Sequence, residues 1–170
     1  MQTNPFQPTS NPIAQQKDIR GVLISVTNNR VLLPNATVSE VITFANPEPY
    51  LNQPRWVFGR IRWRGWQIPL ISFALLTGSA TQEGQIGARV AVLKALSGHA
   101  KLPYFAMLTQ GFPRLTTVAF DALIPDSHAG NLPAGVLMPV MIKDDHAVIP
   151  DLETIERLIV DSVIEPMTLD

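Results

Sequence analysis

The chain has 170 residues, 46% of them hydrophobic, with 13 basic against 14 acidic side chains and no cysteine. The length suits one domain with a sizeable core. The missing cysteine excludes disulfides and thiolate metal sites, and the nearly cancelled charge argues against a broadly basic nucleic-acid-binding body.

Residues 1–19, "MQTNPFQPTSNPIAQQKDI", are rich in Gln, Asn, Pro, Thr and Ser. Their few large apolar groups cannot offset the entropy of ordering them, so a flexible tail is expected. They lack the charged start, apolar run and cleavage site of a secretory signal. No later stretch has the eighteen or so consecutive apolar residues of a membrane span, so a soluble, cytoplasmic protein with no direct membrane insertion is expected.

From residue 20 the pattern is one of short strands. "GVLISVTNNRVLLP" predicts a hairpin turning at Asn28-Asn29, since asparagine tolerates positive φ. "SEVITF" follows as a third strand, closed by the proline-rich "ANPEPYLNQP". "RWVFGRIRW" and "WQIPLISF" predict two strands joined at Arg64-Gly65, with Gly65 supplying the turn. Pro69 removes a backbone donor and predicts an edge strand or a bulge.

The polar, Gly-rich "TGSATQEGQIGA" marks the expected boundary between a first lobe, about 20–78, and a second, about 88–150. The second holds "RVAVLKAL", "YFAMLTQ", "RLTTVAF", "GVLMPVMI" and "HAVIP". Only "DLETIERLIVDSV" reads as a helix, about 151–162. Asp151 can cap its first turn, Glu153 suits the positive end of its dipole, and Leu152, Ile155, Leu158 and Ile159 share one face. Nine or ten short strands with one terminal helix predict an all-β fold of small barrels.

The most distinctive stretch is "GRIRWRGWQIPL". Strand alternation would turn Ile61 and Trp63 inward and line up Arg60, Arg62 and Arg64 outside. Such a row suits phosphates, a small anion or the carboxylates of a protein. By contrast, no phosphate loop or GxSxG elbow occurs. "KDDH" at 143–146 reads as a polar hairpin turn rather than a metal site. Asp126, Ser127 and His128, adjacent in one loop, cannot normally reproduce a triad assembled from separate parts of a fold. No catalytic, cofactor or metal residues are expected.

With the strands placed, the chain resembles the CheW-like adaptor family of bacterial chemosensory systems. The family's Val-x-Glu-Ile/Val strand is matched by Val38-Ser39-Glu40-Val41, and its Gly-x-Ile-Asn-Leu-Arg-Gly-x-x-Ile-Pro-Val-Ile-Asp signature by Gly59 to Ser72. Gly59, Ile61, Arg64, Gly65, Ile68, Pro69 and Ile71 match directly; Arg62, Trp63, Leu70 and Ser72 replace Asn, Leu, Val and Asp. The resemblance covers about 20–162 and is looser in the second half, where "MLTQGFPRLTTV" lacks a Val-Asp-x-Val element.

The resemblance implies a single domain over about 20–165: two Src-homology-3-like five-stranded β-barrels sharing a hydrophobic core. It implies a non-enzymatic scaffold, recruited to membrane receptor arrays. Its implied partners are the cytoplasmic hairpin tip of a chemoreceptor and the regulatory domain of a CheA-type histidine kinase. The variant signature is similar to the pilus-associated accessory adaptors of the ChpC or PilI kind, which bear on twitching motility.

On this reading the protein-binding residues are Val38, Glu40, Arg60, Arg62, Arg64, Gly65 and Trp66. Glu40 and Arg64 are expected to pair if their strands lie side by side. Arg60 and Arg62 form either a solvated strand face or a basic strip that meets acidic side chains on a partner. Trp66, just past the turn, has the composition of an interface anchor. The alternative is a nucleic-acid-binding barrel in which the arginines track phosphates and Trp66 or Phe58 stacks on bases.

Overall fold

The computed structural model of the chain describes residues 18–125 and 130–167. The expected tail up to residue 17 and the Asp126-Ser127-His128 loop lie outside the described residues.

Among the described residues eleven strands form two sheets. β1 (Ile19–Val26), β2 (Asn29–Pro34), β8 (Arg114–Val118), β9 (Ile124–Pro125), β10 (Val136–Ile142) and β11 (Asp145–Pro150) build one, in the order β8-β1-β2-β11-β10-β9. β3 (Val38–Thr43), β4 (Val57–Trp63), β5 (Trp66–Ile71), β6 (Ala88–Lys94) and β7 (Tyr104–Gln110) build the other, in the order β3-β6-β7-β5-β4. The fold is the expected all-β one with a C-terminal helix.

The expected lobe boundary differs from this pairing. β6 and β7 join β3–β5, while β1–β2 joins the C-terminal strands. The physical reason lies in the β1–β2 hairpin, which is apolar on both faces. Val22, Ile24, Val31 and Leu33 enter a core shared by both sheets, whereas Leu23 and Leu32 face the interior of the second barrel with Val118, Val140 and Ile142. Only a position between the shared core and the second barrel buries both sets. The Gly-rich stretch is a connection within the five-stranded sheet.

The hairpin turns one residue earlier than expected. Val26 faces Asn29, and Asn28 carries the positive φ of 62°. β5, which holds Pro69, is an interior strand rather than an edge, and the irregularity expected as the alternative lies in its β4 partner, between Val57 and Gly59 opposite Leu70 and Ile71. The proline is tolerated because its β4 partner, Arg60, turns its own backbone groups the other way, to Glu48, and because pairing with β7 starts only at Leu70.

One element went unread in the sequence. α1 (Phe73–Thr77) is capped by Ser72, whose Oγ accepts from the Leu75 N–H at 3.1 Å, and is closed by Gly78 at φ 75°. Ser72, where the resembling family carries Asp, keeps a capping oxygen.

α2 (Leu152–Ile159) is capped by Asp151, as expected: the carboxylate accepts from the Thr154 N–H and hydroxyl at 3.1 and 2.7 Å, and these bonds hold its pKa below the ordinary value. Ile155 and Ile159 enter the shared core beside Phe73, Phe105 and Met107. Burying each such side chain contributes about 1.5–3 kcal/mol. On the same helix Glu156 is 1% exposed, and its two oxygens accept from the backbone N–H groups of Leu96 and Ser97 at 2.6 and 2.8 Å. This carboxylate clamps the β6–β7 loop to the helix.

Candidate protein-binding site

β4 and β5 are joined by a two-residue turn in which both Arg64 (φ 46°) and Gly65 (φ 81°) are left-handed, the geometry that matches the twist of a hairpin. Arg64 therefore belongs to the turn, and only Arg60 and Arg62 share a strand face. Ile61 and Trp63 are buried between them, as the alternation predicts.

β3 and β4 are not hydrogen-bonded neighbours. They are the two opposite edges of the five-stranded sheet, and side chains join them where the barrel closes. Glu40 on β3 is the joint. Its Oε2 accepts from the Trp63 indole N–H at 2.8 Å and lies 3.1 Å from Arg64 Nη2, so the expected Glu40–Arg64 pair is present, across the barrel seam. The Arg64 guanidinium also sits 5.0 Å from the Trp63 ring, which meets Tyr104 edge-on at 4.8 Å. A buried indole needs an acceptor for its N–H. That need makes Trp63 both core and latch.

A second joint lies three residues back from Trp63, at Arg60. Glu48 forms an isolated antiparallel bridge with Arg60: Glu48 N–H donates to Arg60 C=O at 2.9 Å, and Arg60 N–H to Glu48 C=O at 2.7 Å. The Glu48 carboxylate also accepts from Arg60 Nη2 at 2.7 Å. That hydrogen bond and the Arg60 charge hold the Glu48 pKa below its ordinary value, with a smaller pull from the Arg62 charge. Arg60 further lies 5.4 Å over the Tyr50 ring. The close approach requires Gly59, at φ 132°, because a Cβ there would clash with the Glu48 carbonyl oxygen.

Arg62 is different. It is exposed, and among the described residues no carboxylate forms an ion pair with it. Trp66 is 47% exposed, with its ring 6.2 Å from Tyr104. The structure thus brings together Glu40, Arg62, Arg64, Gly65 and Trp66 at the hairpin tip, with Arg60 at the next joint. It does not bring Val38 there: that side chain packs against the shared core.

Elsewhere, "KDDH" forms the expected turn, with Lys143 at φ 56°. The Asp145 carboxylate is taken by Arg114 at 2.9 Å and Arg30 at 3.6 Å, two cations where a metal site would need further ligands. Glu48 and Glu156 were missed in the sequence. Glu48 sits in Pro-Glu-Pro, whose prolines favour extension of the chain, and that was the available signal. Among the described residues no helix is long and apolar enough to cross a membrane.

A model of the CheW-like domain family matches residues 20–160. The chain belongs to the CheW-like family. The family consists of non-catalytic scaffolds, and the fold accords with that membership. The crystal structure of the scaffolding protein TtCheW from Thermoanaerobacter tengcongensis superposes with a TM-score of 0.68, covering 80% of this chain and 90% of that one at 17% identity. No curated protein sequence matches the chain. Within the CheW-like signature the positions from Gly59 to Gly65 are those of β4 and its turn. The closest contacts between the edges of the first barrel therefore lie on signature residues.

Proposed function

We propose that this CheW-like protein is an adaptor of a bacterial chemosensory system, joining the cytoplasmic tip of a receptor to the regulatory domain of a CheA-type histidine kinase. The observation that carries the assignment of the kinase surface is the unequal state of the three arginines. Arg60 and Arg64 pair with Glu48 and Glu40, and Arg62, beside a half-exposed tryptophan, has no carboxylate partner among the described residues. A frame presenting such a cation and an aromatic anchor suits a protein interface. A phosphate-tracking strip would use all three charges.

The kinase-facing surface then comprises Arg62, Gly65 and Trp66, framed by Glu40, Arg60 and Arg64. Val38 acts from behind, by seating β3 on the core. The adaptor works by holding the kinase where a receptor's conformational change can bias it, which requires unequal affinity for two kinase states. The pilus-associated branch is the finer reading. It rests on Arg62, since Ser72 keeps the capping oxygen expected at its position.

The test is titration of the purified protein with the regulatory domain of the kinase encoded in its own genome, for wild type, Arg62→Glu and Arg64→Ala. Micromolar binding by wild type, lost on charge reversal in a variant that stays folded, supports the assignment. Absence of wild-type binding, both alone and with the receptor tip added, overturns it.

A further inference from the structure

We propose that the β4 edge at Arg62 binds an extended acidic segment of the partner protein, in the register next to the one that Glu48 already fills. The inference rests on the adaptor reading for the kind of partner. Its geometry comes from the chain itself.

Glu48 displays the whole mode of recognition within the molecule. One extended residue gives its N–H and takes an N–H from the β4 backbone at Arg60, at 2.9 and 2.7 Å, and places its carboxylate 2.7 Å from the guanidinium of that same residue. Strand geometry repeats every two residues, so the backbone groups of Arg62 point to the same side as those of Arg60, away from β5. β4 is the terminal strand of its sheet, and among the described residues nothing pairs with its outer edge beyond the single Glu48 bridge.

If that antiparallel bridge continued, Asn46 would face Arg62. It stands instead across a cleft of about 350 Å³ that Ile42, Ile61 and Arg62 also line. Among the described residues the cleft offers an unpaired strand edge, a guanidinium with no carboxylate partner and an apolar floor. Its charges favour an anion: Arg60 is matched by Glu48, and Glu40 is committed to Trp63 and Arg64, so among the described residues the Arg62 charge is uncompensated. A strand entering here would place an acidic residue outward on Arg62 and an apolar neighbour inward over Ile42 and Ile61. The expected partner motif is therefore an acidic residue between apolar ones, added by β-augmentation.

The test uses the full chain labelled with ¹⁵N and the capped peptide acetyl-Thr-Val-Glu-Val-Thr-amide. The expected result is a saturable shift of the Arg62 backbone and guanidinium signals. Changing the peptide's Glu to Gln should weaken binding by about fivefold through loss of the charge-assisted bond. N-methylation at that Glu, which removes the donor to the Arg62 carbonyl, should abolish it. Arg62→Gln, still folded, should no longer distinguish the Glu and Gln peptides.

Equal binding of the two peptides by wild type, shifts confined to Trp66 and its neighbours, or stronger competition by a single-stranded oligonucleotide than by the acidic peptide would each overturn the inference. If the kinase domain binds and the peptide leaves Arg62 unmoved, the edge-pairing inference fails alone. If the peptide binds Arg62 and the kinase domain binds nowhere, the edge site stands and the adaptor reading fails.

Discussion

Two regions of the molecule hold glutamates against donors, in opposite settings. On the seam between β3 and β4, Glu40 and Glu48 keep part of their surface in water and meet guanidinium groups. Under the β6–β7 loop, Glu156 is almost wholly buried and meets two backbone amides instead. An ion pair in high dielectric adds little stability, so the seam acids serve mainly to shape a surface. A buried acid whose oxygens are both occupied is part of the fold, because its removal breaks two hydrogen bonds to a carboxylate and empties a site inside the packing.

Substitution at the buried end should have the largest effect. Glu156→Ala should lower stability by about 2–5 kcal/mol, read from denaturant unfolding, by removing two hydrogen bonds to a buried carboxylate and leaving a cavity in its place. A loss below about 1 kcal/mol would mean that the loop finds other acceptors and that the contrast with the seam is false.

Gly59→Ala comes next, at about 3 kcal/mol, since it combines a disfavoured φ with a clash against the Glu48 carbonyl. The amide signals of Glu48 and Arg60 should shift together if the bridge opens first. Trp63→Phe should cost about 1.5–3 kcal/mol, because it removes a donor to a charged acceptor while keeping an aromatic in the core. Arg64→Ala, at the exposed end of the same joint, should cost about 0–1 kcal/mol, and an effect as large as that of Trp63→Phe would mean that the guanidinium rather than the indole holds the seam.

The smallest effect is one of pH. The folded-state pKa of Glu48 is depressed by Arg60, so its contribution is fully present above the ordinary glutamate value of 4.5 and is lost as pH falls through the lower folded value. Carboxyl chemical shifts followed from pH 7 downward should show Glu48 protonating below the ordinary glutamate value of 4.5. Arg60→Gln should raise its midpoint toward that value. If Glu48 titrates at the ordinary value in wild type, the carboxylate bridge does not hold in solution.

Much of the seam was legible because its signals are local. Alternation placed Ile61 and Trp63 inside, and a glycine after Arg64 placed the turn. Asp151 announced its helix, and Ser72 with Gly78 carried an equally readable pair of caps that the surrounding strand pattern concealed. What the sequence did not disclose depends on distant partners. Nothing near Glu156 in the chain signals the amides it binds, and nothing near Trp63 says that its N–H will meet Glu40. The lobe boundary failed for the same reason. The Gly-rich stretch is a strong local break, but the location of a barrel depends on where the two-faced β1–β2 hairpin can be buried.

That hairpin also sets an order of assembly. The first barrel draws on one continuous stretch, Val38 to Gln110, whereas the second needs the earliest strands beside the last, with Val31 paired to Val148. Roughly a hundred residues must be looped out before that pair forms, an entropic cost met only by late, long-range contacts. A ribosome releasing this chain would therefore expose a complete first barrel, with its arginine seam already latched, while β1 and β2 still waited for β11.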